Sequence, residues 1–210
     1  LLGISYGSLL AQHVMRDYPE IVRAAVIDSV LPLDQTFFVG STDTSFNAIE
    51  RLLAACTADS ACNVAYPDLT TTLRETVARY NENPVEITIT DPLTNISYPS
   101  LLTGDAVLST IIYYLYLTPA IPTIPQNISE IAAGNTATAE ALLSQFLAAL
   151  HALERGMQYS VQCQEDLILT SEADLQARYE ALPPEYRGRV PIEFLLENSI
   201  FDLCAQFPVT

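Results

Sequence analysis

The residues best suited to chemistry stand near the start of the chain, where Gly3-Ile4-Ser5-Tyr6-Gly7 spells a G-x-S-x-G pentapeptide. Such a pattern sets a serine hydroxyl on a sharp turn between a strand and a helix. The turn strains the backbone at the serine, and the residues two before and two after it have to be small. It also aims the helix N-terminus at any oxyanion formed when the hydroxyl attacks a carbonyl. Ser5 is then a candidate nucleophile, and the Tyr6 amide a candidate oxyanion donor. The bland alternative is a glycine-rich turn carrying an incidental serine.

A nucleophilic alcohol needs a base, and the chain offers only His13 and His151. On a helix following Ser5, His13 would lie ~12 Å along the axis at 1.5 Å per residue. A working base comes within about 3 Å of its nucleophile, so His13 reads as a surface or packing residue. His151 stands among leucines and reads as packing too. Asp28 closes a short apolar run and reads as a loop cap. Glu165 and Asp166 could hold a protonated amine through charge-assisted hydrogen bonds, or form an ordinary acidic turn. Tyr113, Tyr114 and Tyr116 could wall an apolar pocket or simply pack one helix. Cys56, Cys62, Cys163 and Cys204 allow three pairings; neither spacing is C-x-x-C, and no metal or organic cofactor is implied. Asn95-Ile96-Ser97 and Asn127-Ile128-Ser129 are sequons, which matter only in a host that glycosylates.

The elements needed to position these residues can be read from periodicity. Leu1 to Ile4 ends a buried strand, Ser8 to Asp17 is helical, and Arg23 to Asp28 is a second strand, giving one α/β unit. Helices are expected at Phe46 to Cys56 and Leu69 to Tyr80. Val85 to Thr90 alternates as a half-buried strand, with Asn95 to Ser100 as its hairpin partner. Further helices are expected at 106–117, 129–133, 137–153, 175–182 and 191–204, with Pro119 to Pro125 a stiff connector. Tyr159 to Cys163 reads as another strand.

With 25 acidic residues against nine basic ones, all Arg, the formal charge is −16. That charge repels nucleic-acid phosphates and anionic lipid, so neither is an expected partner. Half of the residues are apolar and the mean hydropathy is +0.23, enough for one good core with room for a second small subdomain. No apolar run reaches the ~18 residues of a membrane span. The opening Leu1-Leu2-Gly3 and the closing Gln206-Phe207-Pro208-Val209-Thr210 lead to the expectation of an internal piece of a longer protein.

The block Gly3 to Ala11, then Met15-Arg16-Asp17-Tyr18-Pro19-Glu20, then Val26-Ile27-Asp28-Ser29-Val30 resembles the α/β-hydrolase fold. More narrowly, it resembles the secreted tripeptidyl and prolyl aminopeptidases. Val161 to Asp166, the Cys204 ending, and Cys56 and Cys62 before Ala65-Tyr66-Pro67-Asp68-Leu69 are similar to that group as well. The resemblance implies an α/β class, with a partial hydrolase core over 1–35 and a mainly helical cap over 36–210. It implies a serine hydrolase of the aminopeptidase type, with Ser5 as nucleophile, Tyr6 as backbone oxyanion donor, and Glu165 and Asp166 holding the free N-terminus of a peptide substrate. The family's acid and base would lie beyond this chain, so the piece itself is expected to be inactive. An esterase on the same scaffold and a non-catalytic cap or peptide-binding module are the alternatives. Pairings Cys56–Cys62 and Cys163–Cys204 are expected, and with them a secreted or cell-envelope location. Exposed strand edges suggest self-association or pairing with a missing core fragment.

Overall fold

The computed structural model describes residues 1–151, 153–182 and 200–206. The chain opens with a small flap made of β1 (Leu2–Ile4), α1 (Tyr6–Asp17) and β2 (Val26–Asp28). β1 and β2 pair in parallel, Leu2 with Val26, Gly3 with Ile27 and Ile4 with Asp28. Helix α1 lies against the face on which Gly3 sits. A Cβ on Gly3 would stand 2.3 Å from the Gly7 carbonyl oxygen and 2.9 Å from the Ala11 Cβ, so only glycine admits this approach.

The body is helical: α2 (Phe37–Ala58), α3 (Ser60–Ala65), α4 (Leu69–Glu82), α5 (Gly104–Leu115), α6 (Ile124–Ala132), α7 (Thr136–His151), α8 (Arg155–Val161), α9 (Glu172–Ala181) and α10 (Ile200–Gln206). One hairpin interrupts it, β3 (Val85–Thr90) paired antiparallel with β4 (Ser97–Leu102). The buried residues recur at helical spacing: Phe46, Ile49, Leu53 and Cys56 on α2, Leu69, Leu73, Val77 and Tyr80 on α4. They meet Val107, Leu108 and Ile111 of α5 and Ile124, Ile128 and Ile131 of α6 in one core. Gly104 starts α5 where a Cβ would fall 2.1 Å from the Val77 carbonyl oxygen, which is how α5 comes so close to α4. The C-terminal carbonyls of α6 find side-chain donors: Tyr80 and Arg79 donate to the Ile131 oxygen, and Arg79 also to that of Ala132.

The hairpin is tied to α7 by side chains instead of by a third strand. The Thr88 and Thr90 amides donate to Glu140 Oε1 and Ser144 Oγ on one face of α7. Beyond them the fully buried Asp91 carboxylate accepts hydrogen bonds from the Leu93 amide and the Thr94 hydroxyl, and pairs with His151 Nδ1 at 2.8 Å. Cys56–Cys62 staples α2 to α3, and Cys163–Cys204 joins the turn after α8 to α10.

These observations correct the expected class. Among the described residues the strands form two separate two-stranded sheets, and most of the chain is helical. The broad continuous sheet that an α/β-hydrolase core requires is not there, so the reading as a partial core of that fold is overturned. The expected strand at Tyr159 to Cys163 is the end of α8 running into a π turn over Gln162–Asp166. The stiff connector is a 3-10 helix, Thr118–Thr123, that leads directly into α6. Helix α2 starts at Phe37, well before the expected Phe46. Of the last expected helix, 191–199 lies outside the described residues, as do the Pro183-Pro184 break and the Pro208 ending.

Two expectations about stability follow. Cys163 and Cys204 close a loop of 41 residues, so replacing both by Ser should lower unfolding free energy by roughly 4 kcal/mol on the chain-entropy argument, measured by urea denaturation. Asp91 is held below the usual carboxylate range, chiefly by the Leu93 amide and then by Thr94 and His151, against the opposing effect of burial. A lowered folded value stabilises above the unfolded value of about 3.9 and is lost as pH falls through the folded one. The urea midpoint of the wild type should therefore approach that of Asp91→Asn as pH drops below about 4; a constant gap would refute the assignment.

Candidate functional site

Ser5 sits in strained backbone between β1 and α1, with φ 55° and ψ −123°. Its amide donates to the Asp28 carbonyl at 3.0 Å and its carbonyl accepts from the Ser8 amide at 2.9 Å. A buried network fixes the turn from behind. Ser8, fully buried, donates through its hydroxyl to the Ser5 carbonyl and accepts from the Leu31 amide at 3.0 Å. Gln12 donates to the carbonyls of Ser8 and Leu31. Ser8 and Gln12, one turn apart on α1, thus lash the segment after β2 to the serine turn. The sequence reading passed over both; their i, i+4 spacing was the available signal.

The steric expectation for the pentapeptide holds at one of its two glycines. Gly3 is crowded, whereas a Cβ on Gly7 would meet nothing within 4 Å. The Ser5 side chain is exposed and makes no hydrogen bond among the described residues. His13 is half-buried further along α1, and His151 is engaged with Asp91 at the hairpin. Asp28 lies exposed at the end of β2, where the Ser29 hydroxyl approaches its carboxylate at 3.3 Å.

Glu165 and Asp166, adjacent in the π turn, do different things. Tyr6 donates its hydroxyl to Glu165 Oε2 at 2.7 Å, joining the flap to the helical body. Asp166 is buried and accepts the Phe37 amide at 2.6 Å, placing a carboxylate at the N-terminus of α2. Tyr6 and Glu165 are therefore brought together, while Asp166 faces a helix end. Burial, then the hydrogen bond to Glu165 and its charge, push the Tyr6 hydroxyl up to about 12. Tyr113 packs edge-on against Tyr114 and tilted by 45° against Phe146, with ring centroids 5.3 Å apart in both pairs, a packing role. Tyr116 lines a groove of about 190 Å³ between α2 and α5 with Thr44, Ser45, Ala48, Ile112 and Leu115, none of them a sequence candidate. Among the described residues no group of His, Cys, Asp or Glu could hold a metal, and no helix is long and apolar enough to cross a membrane.

No protein-family model, curated protein or solved structure matches this chain. The resemblance to serine aminopeptidases is accordingly not sustained. The described residues hold no Ser–His–acid arrangement, and two small disconnected sheets replace the hydrolase core. Serine-hydrolase chemistry, whether as peptidase or as esterase, is withdrawn with the fold on which it rested. The expected disulfide pairings are both present, and they are consistent with an oxidising, extracytoplasmic-type environment.

The Tyr6–Glu165 link has a spectroscopic signature. A raised folded value for a phenol means that the neutral form is favoured by folding, so its contribution is present below about 10 and lost as pH climbs through about 12. Titrated by tyrosinate absorbance, the wild type should show a late-ionising phenol that vanishes in Tyr6→Phe and moves down in Glu165→Gln. Identical late titration in all three proteins would break the assignment.

Proposed function

We propose that this chain is a non-catalytic, extracytoplasmic module that engages a basic polypeptide partner through its flap. The observation that carries this reading is the bare face of the parallel pair. Parallel strands in proteins are normally covered on both faces. Here α1 covers the side on which Gly3 is buried, while Leu2, Ile4 and Val26 on the other side are 72%, 56% and 62% exposed. Asp28, in register with Ile4, carries a carboxylate on that same face. Apolar contact with a charged rim is the usual make-up of a recognition surface. The chain's −16 charge favours a cationic partner and slows approach of a like-charged one. Secretion, as against retention in a cell envelope, belongs to this proposal as the setting in which such a partner would be met.

A direct probe is a fluorescent, terminally blocked peptide, Arg-Val-Thr-Val-Thr-Val-Thr-Arg, beside the same peptide with Glu at both ends. Anisotropy should report binding of the basic peptide, weakening as salt is raised. Changing Leu2, Ile4 and Val26 together to Ser should remove it. Equal binding of both peptides, binding of neither, or full binding by the triple variant would overturn the proposal.

A further inference from the structure

Resting on the extracytoplasmic part of that reading, and not on what the flap binds, we infer that Asn95 in the turn of the β3–β4 hairpin is an N-glycosylation site and that Asn127 is not. Both stand in Asn-x-Ser triplets without a central proline, Asn95-Ile96-Ser97 and Asn127-Ile128-Ser129. Such a triplet serves as an acceptor on a surface loop of a chain that enters a secretory route. The two disulfides suit that route. The fold treats the two triplets in opposite ways.

The Asp91 amide donates to the Ile96 carbonyl and the Asn95 amide to the Asp91 carbonyl, so Pro92 to Asn95 form the turn. Asp91 holds that turn from within. Its carboxylate accepts the Leu93 amide and the Thr94 hydroxyl and is anchored to His151 of α7. Asn95 closes the turn in left-handed backbone, φ 57°, which asparagine tolerates better than most side chains. It is exposed, and its carboxamide makes no hydrogen bond among the described residues. Glycine or aspartate would also meet the backbone requirement. Asparagine with a serine two places on adds the acceptor. Ser97 is exposed at the start of β4, where its hydroxyl shares a hydrogen bond with Thr90 Oγ1 at 2.9 Å. Beside Asn95, Leu93 and Ile96 are 66% and 52% exposed, two large apolar side chains where turns are normally polar. A hydrophilic oligosaccharide rooted at Asn95 shields both from other molecules.

Asn127 lies within α6, at a small apolar cavity that Ile111, Tyr114, Ile128 and Leu142 help to line. Ile128, the middle residue of its triplet, is fully buried in the core. Sugar is transferred to a chain that has not yet folded, so either triplet can meet the transferase. The outcomes then differ. A glycan on Asn95 extends into solvent from a finished turn. One on Asn127 is wedged where α6 seats against α5 and α7, so a chain carrying it cannot complete its core. In the transfer, Asn95 Nδ2 attacks the anomeric carbon of a lipid-pyrophosphate-linked oligosaccharide. A C–N bond forms, the bond from that carbon to the pyrophosphate oxygen breaks, the amide loses one proton, and the lipid pyrophosphate leaves.

The test is to secrete the whole chain from a eukaryotic cell behind a cleavable leader, then treat it with peptide-N-glycosidase in heavy-oxygen water. A single downward step in gel mass is expected, with oxygen-labelled deamidation at position 95 and none at position 127. Asn95→Gly, which suits a positive φ, and Ser97→Ala, which spares Asn95, should each lose that step completely. The labelling is read on the wild type, so it does not depend on either variant folding. Secreted protein with both disulfides formed and position 95 unlabelled would overturn the inference, as would label at Asn127 equal to that at Asn95. Either result leaves the flap proposal standing, because the basic-peptide assay on the deglycosylated protein reads the flap separately. Free thiols at Cys56, Cys62, Cys163 and Cys204 in the secreted chain would overturn the extracytoplasmic setting and both proposals with it.

Discussion

The short π turn over Gln162–Asp166 is where the separate parts of this molecule are fastened together. Five consecutive residues supply three attachments: Cys163 is bonded to Cys204 of α10, Glu165 accepts the Tyr6 hydroxyl of the flap, and Asp166 accepts the first amide of α2. A π turn widens the helix by one residue, which lets neighbouring side chains fan out in directions that a regular α-helix would keep apart. That widening suits two adjacent carboxylates that meet different elements, the flap through Tyr6 and the start of α2 through Phe37. The disulfide closing a long loop here, instead of elsewhere, holds the junction at its most connected point.

The same turn explains one failure of sequence reading. Tyr159-Ser160-Val161-Gln162-Cys163 alternates apolar and polar residues, which argues for a strand. Tyr159 and Cys163 are also four apart, which suits one face of a helix, and short runs cannot separate these periods. Tertiary attachments decided it. Helix α2 was recognised only from its apolar second half, because Ser41-Thr42-Asp43-Thr44 gives its start no hydrophobic rhythm; the Asp166 carboxylate that meets its N-terminus comes from a point 129 residues away. By contrast α1, α4, α5 and β3 were legible within about two residues, because each has a clear period and a local boundary.

The local shape of the Ser5 turn was legible in the pentapeptide, and its chemistry was not. The strained serine, the crowded Gly3 and the small buried Ala11 are short-range consequences of a strand running directly into a helix. Catalysis would have required groups from far along the chain, and the only histidine hydrogen-bonded to a carboxylate here is His151, committed to the buried Asp91, among the described residues. A pentapeptide can fix a turn by itself; it cannot supply the base. The open surroundings of Gly7 show how loosely the second half of the motif is constrained.

The small antiparallel sheet meets a general backbone constraint without a third strand. Every backbone amide on an outer strand wants an acceptor, because leaving it unpaired and buried is costly. β3 meets the requirement inside the chain, through two side chains one helical turn apart on α7 and an Asp91–His151 pair beyond them. The serine turn at the end of β1 is secured by the same kind of device, since Ser8 and Gln12 satisfy the Ser5 and Leu31 backbone from one face of α1.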